Sequence, residues 1–315
     1  MKSFQVIRLN VSSYQDPLFL QREKQSLESL GLRYCSTKED LNDSPLILLT
    51  NTHTEISEIP DLLSKTELIV HPNSGYDNLS RDYSYIKSIP TIIGHEVRAH
   101  AVTEWILSSF FEASIKRPQH QSWDPTRKWD RTLLKEKEVV IFGLGHIGRM
   151  VRDILKTMGM KVSVVDPYQK NCYQSYKELE AKRYHALIVC CGLNEKNEGF
   201  LNKELFSHLS FDYFINGARG KLVNESDLKN YLIAHPQSKA FLDVFSTEPF
   251  QNEWRDFPQV ICSSHIAGVY KDLDQEIINF EYRVLNDFLK LNDNEFAAKY
   301  SQQLLSSKLK EGVII

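Results

Sequence analysis

Three glycines and an acid carry the first chemistry that can be read from the chain. Gly143, Gly145 and Gly148 follow directly on the apolar run 139–142, and Asp166 closes a second run, KVSVV, roughly 20 residues further on, the distance at which an acid can accept from both ribose hydroxyls. In a dinucleotide site the first glycine makes the tight turn, the second lets the backbone approach the pyrophosphate, and the third lets helix and strand pack closely. The helix that follows would offer the N–H groups and positive dipole end of its N-terminus to the phosphates. Glycines at this spacing also arise by chance, and an aspartate before Pro167 also suits a turn. The order strand, glycines, helical stretch, strand, acid is what lifts the pattern above coincidence. Further on, Arg219 lies in INGARGKLVNESDL, Glu248 in FLDVFSTEP and His265 in SSHIAG. Singly they read as a surface charge, a turn acid before Pro249 and a satisfied loop histidine. Together they follow successive apolar runs, on the sheet edge where the nicotinamide half of a dinucleotide belongs.

Elements able to position these residues can be placed along the chain. Residues 4–9 read as a strand and 17–30 as an amphipathic helix closed by Gly31; 46–49 and 68–70 repeat the strand signal around a helical stretch at 56–63. This βα alternation predicts a parallel sheet covered by helices. The turn-rich loop HPNSGYDNLS puts Ser74 and Gly75 just beyond a strand's carboxyl end, where open α/β sheets bind ligands and where a plain connection would also lie. AVTEWILSSFFEASIK has the apolar density of a buried helix, and the basic segment 117–131 after it, with Trp123 and Trp129, reads as an arm for a partner subunit rather than a nucleic-acid contact. The glycine strand, the Asp166 strand and runs at 186–190, 213–215, 240–242 and 260–262 make six strands of a doubly wound sheet, and 273–291 a last long helix. Because the dinucleotide motif begins only at Gly143, a domain precedes it, and the C-terminal segment, too short to fold alone, packs back on that domain. The predicted division is 1–99 with 275–315, and 100–274.

A chain of 315 residues suits two domains, and a net charge of −3 without long single-sign blocks excludes a polyphosphate or membrane-surface partner as the expectation. The start MKSFQVIRLN lacks a signal-peptide pattern and no run reaches transmembrane length, so the expectation is a cytoplasmic protein. Cys35, Cys172, Cys190, Cys191 and Cys262 show no C-x-x-C spacing and read as buried free thiols, with no metal site.

The ordered set SGYDN at 74–78, AVTEW at 101–105, GLGHIG at 143–148 with Asp166, NGARGKLVNESDL at 216–228, LDVFSTEP at 242–249 and HIAG at 265–268 resembles the D-isomer-specific 2-hydroxyacid dehydrogenases along most of the chain. The resemblance implies two doubly wound parallel-sheet domains, a flavodoxin-like substrate domain and an inserted Rossmann NAD-binding domain, with a cleft for NAD and a small 2-oxo or 2-hydroxy acid, and a homodimer formed through the NAD-binding domain. It implies that His265 is the general acid and base, suited because imidazole titrates near neutrality. Glu248 would orient the ring and favour its charged form. Arg219 would offer a planar fork to the substrate carboxylate and carbonyl oxygen, and the N–H groups of Ser74 and Gly75 would hold the other side of that carboxylate. Gly143, Gly145, His146, Ile147, Gly148, Asp166, Ala218, Asp243 and Gly268 would bind the cofactor, with His146 and Ile147 donating to the pyrophosphate and Asp243 meeting the carboxamide. Asp166 would repel a 2′-phosphate, which favours NAD over NADP. The chain departs from the family at Cys190, Cys191 and Gly192, where a His-x-Pro usually walls the adenine, at Arg98, where an asparagine usually opens the buried helix, and at Thr103. Formate chemistry is disfavoured by a glutamate rather than glutamine at 248, and the competing class is an NAD(H)-sensing scaffold or co-repressor on the same fold.

Overall fold

The computed structural model describes residues 3–79, 83–115, 121–126, 128, 132–310 and 313–314. Trp129 and residues 117–120, 127, 130 and 131 of the basic segment lie outside the described residues, while Trp123 is exposed. The chain divides into two compact units, Met1–Ala99 with Val269–Ile315, and His100–Gly268. Among the described residues no helix is long and apolar enough to cross a membrane.

The first unit opens with β1 (Gln5–Arg8), α1 (Phe19–Glu28), β2 (Arg33–Cys35), β3 (Leu46–Leu49), α2 (Pro60–Leu63), β4 (Thr66–His71), α3 (Tyr83–Ser88) and β5 (Thr91–Ile93). Its strands form one parallel sheet in the order β2-β1-β3-β4-β5, the flavodoxin-like order. Both faces are covered. Val6, Ile47, Leu49 and Val70 enter one apolar cluster, and Ile7, Leu46, Leu48 and Ile69 the opposite one. The strands therefore read as continuous apolar runs rather than alternations. The helical stretch expected at 56–63 is instead a 3-10 turn, Ile56–Glu58, followed by the single turn α2, because Pro60 can start a helix but not continue one.

Helix α4 (His95–Ser114) begins in the first unit and continues into the second. There β6 (Glu138–Phe142), α5 (His146–Thr157), β7 (Lys161–Val165), β8 (Lys182–Val189), α6 (Lys203–His208), β9 (Leu209–Asn216), α7 (Glu225–Ala234), β10 (Lys239–Leu242) and β11 (Val260–Cys262) build a parallel sheet ordered β11-β10-β9-β8-β6-β7. The chain moves outward from β6 to β7 and then returns to the other side of β6 as β8. That reversal sets the ligand-binding crevice at the carboxyl ends of β6 and β8. Val139 and Ile141 pack with Ile106, Phe110, Val151 and Leu155 on one face, and Val140 and Phe142 with Phe206, Leu228 and Leu232 on the other.

The chain then returns to the first unit with α8 (Leu273–Lys290), α9 (Asp293–Lys299) and the short antiparallel pair β12 (Leu309–Lys310) and β13 (Val313–Ile314). Residues 269–274, assigned to the inserted domain from the sequence, belong to the first unit, because Val269, Tyr270 and Leu273 pack into the cluster formed by Val6, Leu68 and Val70. A buried polar knot secures this return. Arg8 on β1 donates through Nε to Glu23 of α1 at 2.8 Å and through Nη2 to Glu281 of α8, while the Tyr34 hydroxyl donates to the second Glu23 oxygen at 2.5 Å. Burial pushes the Glu281 carboxyl well above the usual carboxylate range, and the neighbouring Glu23 adds to this against the opposing pull of Arg8. Removing the cation leaves two buried acids uncompensated, so Arg8→Met should lower the unfolding free energy by about 3–5 kcal/mol in urea titration. A loss below about 1 kcal/mol would show that this knot does not hold α8 in place.

Candidate active site

The glycine loop is shaped by contacts within the second unit. Gly143 has φ +96°, and a Cβ there would lie 2.6 Å from the Cys191 backbone; at Gly148 it would lie 2.1 Å from the Gly143 carbonyl oxygen. Both positions therefore need glycine for the fold itself. Gly145 differs: its φ is −73° and the space a Cβ would take is open. Nothing in the protein demands glycine here, which is what close approach of a ligand to this backbone requires. The first backbone bond of α5 runs from Arg149 to Gly145, at 3.1 Å, so the amides of His146, Ile147 and Gly148 precede the helical ladder at the loop.

Asp166 lies at the end of β7 and reaches the loop directly. Its Oδ2 accepts the Leu144 N–H at 2.7 Å and its Oδ1 the Tyr168 N–H at 2.9 Å. Arg149 secures the same residue through its carbonyl, donating from Nε to the Leu144 oxygen at 3.0 Å and from Nη2 to Gln169 at 3.0 Å. Arg149 carries no motif signal, since its role depends on a helix folding back over its own start. Cys190 and Cys191 form the wall behind Gly148 and Gly143. Burial pushes the Cys191 thiol up to about 12 and that of Cys190 higher still, so both stay protonated at neutral pH. An open approach at Gly145, unladdered amides on α5 and an acid at the end of the neighbouring strand together fit a dinucleotide.

The three ionisable residues converge in the same unit. Asn216, buried at the end of β9, folds the Arg219 turn by accepting the Ala218 N–H at 3.0 Å and donating to the Arg219 carbonyl at 3.0 Å. Gly220 then lets this turn close on Phe245, since a Cβ would sit 1.9 Å from the Phe245 carbonyl carbon. Phe245 in turn donates its N–H to Glu248 Oε1 at 3.0 Å, and Glu248 Oε2 pairs with His265 Nδ1 at 2.7 Å. Burial raises the Glu248 carboxyl, but the bonds from His265 and Phe245 and the charges of His265 and Arg219 outweigh it and hold the group below its ordinary value.

His265 has φ +54°, a conformation rare for a residue with a side chain. Asp243 explains how it is held. This buried carboxylate accepts from Ser263 Oγ at 2.6 Å and Ile266 N–H at 2.9 Å on one oxygen and from Ala267 N–H at 2.8 Å on the other, while its carbonyl accepts the His265 N–H at 2.8 Å. A residue expected at the carboxamide is thus also the clamp of the histidine loop, which ends the unit at Gly268. In the first unit, Ser74 and Gly75 follow β4, and His71 positions them. The buried His71 ring meets Thr50 at 2.9 Å through Nδ1 and the Gly75 carbonyl at 2.8 Å through Nε2. A carbonyl only accepts, so Nε2 carries the proton and Nδ1 accepts from the hydroxyl. Ser74 Oγ donates to the His95 carbonyl at 3.2 Å.

Fold and site define a doubly wound, dinucleotide-binding unit carrying an Arg, Glu and His set at the ends of its later strands. Residues 107–267 match the family model described as D-isomer specific 2-hydroxyacid dehydrogenase, NAD binding domain. The chain belongs to the D-isomer-specific 2-hydroxyacid dehydrogenase family. It is 30% identical over 173 residues to a hydroxypyruvate reductase of Blautia hydrogenotrophica, covering 51% of this chain and 54% of that protein. The matched part spans about half the length of the first curated relatives. Two solved structures share the fold: NAD+-bound 3-phosphoglycerate dehydrogenase of Entamoeba histolytica, with TM-score 0.70, 19% identity and coverage of 93% of this chain and 98% of that one, and D-lactate dehydrogenase of Aquifex aeolicus with NAD and lactic acid, with TM-score 0.70, 18% identity and coverage of 94% and 98%.

The glycine geometry separates two substitutions. Gly145→Ala should keep the wild-type melting temperature yet weaken NADH binding roughly tenfold by fluorescence titration, whereas Gly143→Ala should lower stability by more than about 1 kcal/mol. Equal effects on both measurements would refute the distinction. A carboxyl-labelled NMR titration should place Glu248 below the ordinary glutamate value of about 4.3. Its ionised form then persists until the pH falls through that lowered value. In His265→Ala the loss of the donor should move it upward, and no movement would mean that the pair does not form in solution.

Proposed function

We propose that the protein is an NAD-dependent 2-oxoacid reductase, equally a D-2-hydroxyacid dehydrogenase in the reverse direction, with His265 as its acid and base. The reading rests above all on the 2.7 Å bond between His265 and Glu248 on a loop that holds His265 at positive φ. Backbone outliers of this kind concentrate at active sites, where the surrounding structure over-determines them. Bound NADH supplies the hydride. As the carbonyl carbon is reduced, negative charge builds on its oxygen and a proton must be delivered there. With Nδ1 of His265 engaged by Glu248, Nε2 is the atom that gives the proton, and in oxidation it takes the proton back. Glu248, ionised at neutral pH, fixes the ring and stabilises imidazolium.

Arg219 presents its guanidinium fork to the substrate carboxylate and carbonyl oxygen, orienting the acid and polarising the bond to be reduced. In the first unit, the amides of Ser74 and Gly75, beside the His71 ring, are the groups the family resemblance assigns to a substrate carboxylate. Gly143, Gly145, Gly148 and the amides of His146 and Ile147 take the pyrophosphate, Asp166 the adenosine ribose, and Ala218, Asp243 and Gly268 the nicotinamide side. The family resemblance also supports a cytoplasmic homodimer joined through the NAD-binding domain.

His265→Ala should reduce kcat for 2-oxo acid reduction by about 10²–10⁴-fold while leaving the NADH dissociation constant within about threefold. Steady-state NADH oxidation with glyoxylate, hydroxypyruvate and pyruvate, alongside fluorescence binding of NADH, measures both. An unimpaired rate would remove the histidine from the chemistry and the proposal with it.

A further inference from the structure

Glu248 sits on an exposed loop, residues 246–249, and a carboxylate that must hold a ring in one orientation needs that loop held too. Exposed loops are mobile unless something ties them to the scaffold. Two contacts close this loop on itself. The Phe245 N–H donates to Glu248 Oε1 at 3.0 Å, and the Phe245 ring stacks on Phe250 with centroids 3.8 Å apart. A third contact reaches outside it: the Ser246 N–H donates to Glu225 Oε1 at 2.6 Å, across 21 residues of sequence. Glu225 is the first residue of α7, where a carboxylate faces the positive end of the helix dipole, so the acceptor stands on a regular element. A backbone N–H paired with a carboxylate is a charge-assisted bond, stronger than one between neutral groups.

The anchor joins the two loops of this unit that carry Arg219 and Glu248. Residues 219–225 run from Arg219 through the 3-10 turn Gly220–Leu222 to Glu225. A Cβ on Gly220 would sit 1.9 Å from the Phe245 carbonyl carbon, and Glu225 takes the N–H of Ser246. These atoms belong to one peptide, so the Phe245–Ser246 plane packs on Gly220 and donates to Glu225 at once. The Arg219 charge reaches Glu248, being one of the influences that hold its carboxyl below the ordinary value. A shift of the gripped peptide would therefore move Glu248 against both His265 and Arg219. We propose that Glu225 is a positioning residue for the acid–base pair: through the Phe245–Ser246 peptide it keeps Glu248 in register with His265 and at a set distance from Arg219, acting through Glu248 rather than on the substrate. For its effect on rate the inference rests on the reductase reading above; for its effect on Glu248 it rests on the geometry of this unit alone.

Glu225→Ala removes the acceptor and Glu225→Gln keeps it, so the two variants test the bond itself. With glyoxylate, hydroxypyruvate or pyruvate, Glu225→Ala should lower kcat about tenfold while leaving the NADH dissociation constant within about threefold, and Glu225→Gln should bring kcat back to within about threefold of wild type. The carboxyl NMR titration of Glu248 should move upward in Glu225→Ala, toward its position in His265→Ala, and return in Glu225→Gln. In a double-mutant cycle, Glu225→Ala should cost less than about twofold once Glu248 is replaced by glutamine, because its effect runs through that carboxylate. If the alanine variant does not fold, Glu225→Asp, which draws the acceptor back by one methylene, takes its place in each measurement. An unchanged kcat together with an unchanged Glu248 titration would overturn the inference. So would a loss that persists in full in the Glu248→Gln background, which marks a purely structural role, or equal losses in the alanine and glutamine variants. Absence of turnover by the wild type with every 2-oxo acid would refute the reductase reading, and the Glu248 titration would then support or overturn the placement of Glu248 by itself.

Discussion

A carboxylate removed from water must recover its hydrogen bonds from the protein, and Asp243 recovers them from one short loop. Ser263, Ile266 and Ala267 all donate to it, and the chain between them has little choice of path. That constraint sets His265 at positive φ, which in turn lets Nδ1 meet Glu248. The chemistry proposed for His265 therefore depends on the residue directly after β10, whose side chain never needs to meet a proton in transit. The Arg219 turn is built by the same means, a buried Asn216 folding the backbone and a glycine at 220 letting it close on Phe245.

The cofactor end of the second unit follows a parallel logic. Gly143 and Gly148 are required by the protein's own packing against Cys191 and the loop backbone, whereas Gly145 faces open space. The motif thus divides into two residues that make the loop and one that leaves room beside it. Asp166 accepts the Leu144 N–H and Arg149 donates to the Leu144 carbonyl, so the loop is pre-organised by charge-assisted bonds before any ligand arrives. The paired cysteines, which depart from the family pattern, serve as the wall behind this loop and remain thiols there.

Much of this was legible in the chain. Buried parallel strands are short continuous apolar runs, so β1, β3, β4 and all six strands of the second unit stood out, as did α1, α5 and α8. The strands β2 and β5 and the short helix α3 did not, because each is short and carries polar residues among its few apolar ones, as in Arg33–Cys35 and Tyr83–Ser88, or follows a proline, as Thr91–Ile93 does. The boundary near residue 269 was displaced for the same reason, because no local feature tells Val269 and Tyr270 which core will take them.

By itself the sequence determined the architecture, two doubly wound units with a glycine loop and an acid in the second, and the identities of Arg219, Glu248 and His265, because these are encoded in local apolar patterns and in residue types at strand ends. Only the tertiary structure decided which groups hold them: Asp243 under the histidine loop, Arg149 over the glycine loop, His71 behind Gly75, the Arg8 knot that fastens α8, and Arg98 between Asn73 and Tyr14. Most of these pair residues distant in sequence, and the two local ones, Arg149 with Leu144 and His71 with Gly75, depend on how the chain folds back at a helix start and at a turn. Their partners are chosen by which elements the folded core brings within hydrogen-bond reach, and no periodicity along the chain records that choice.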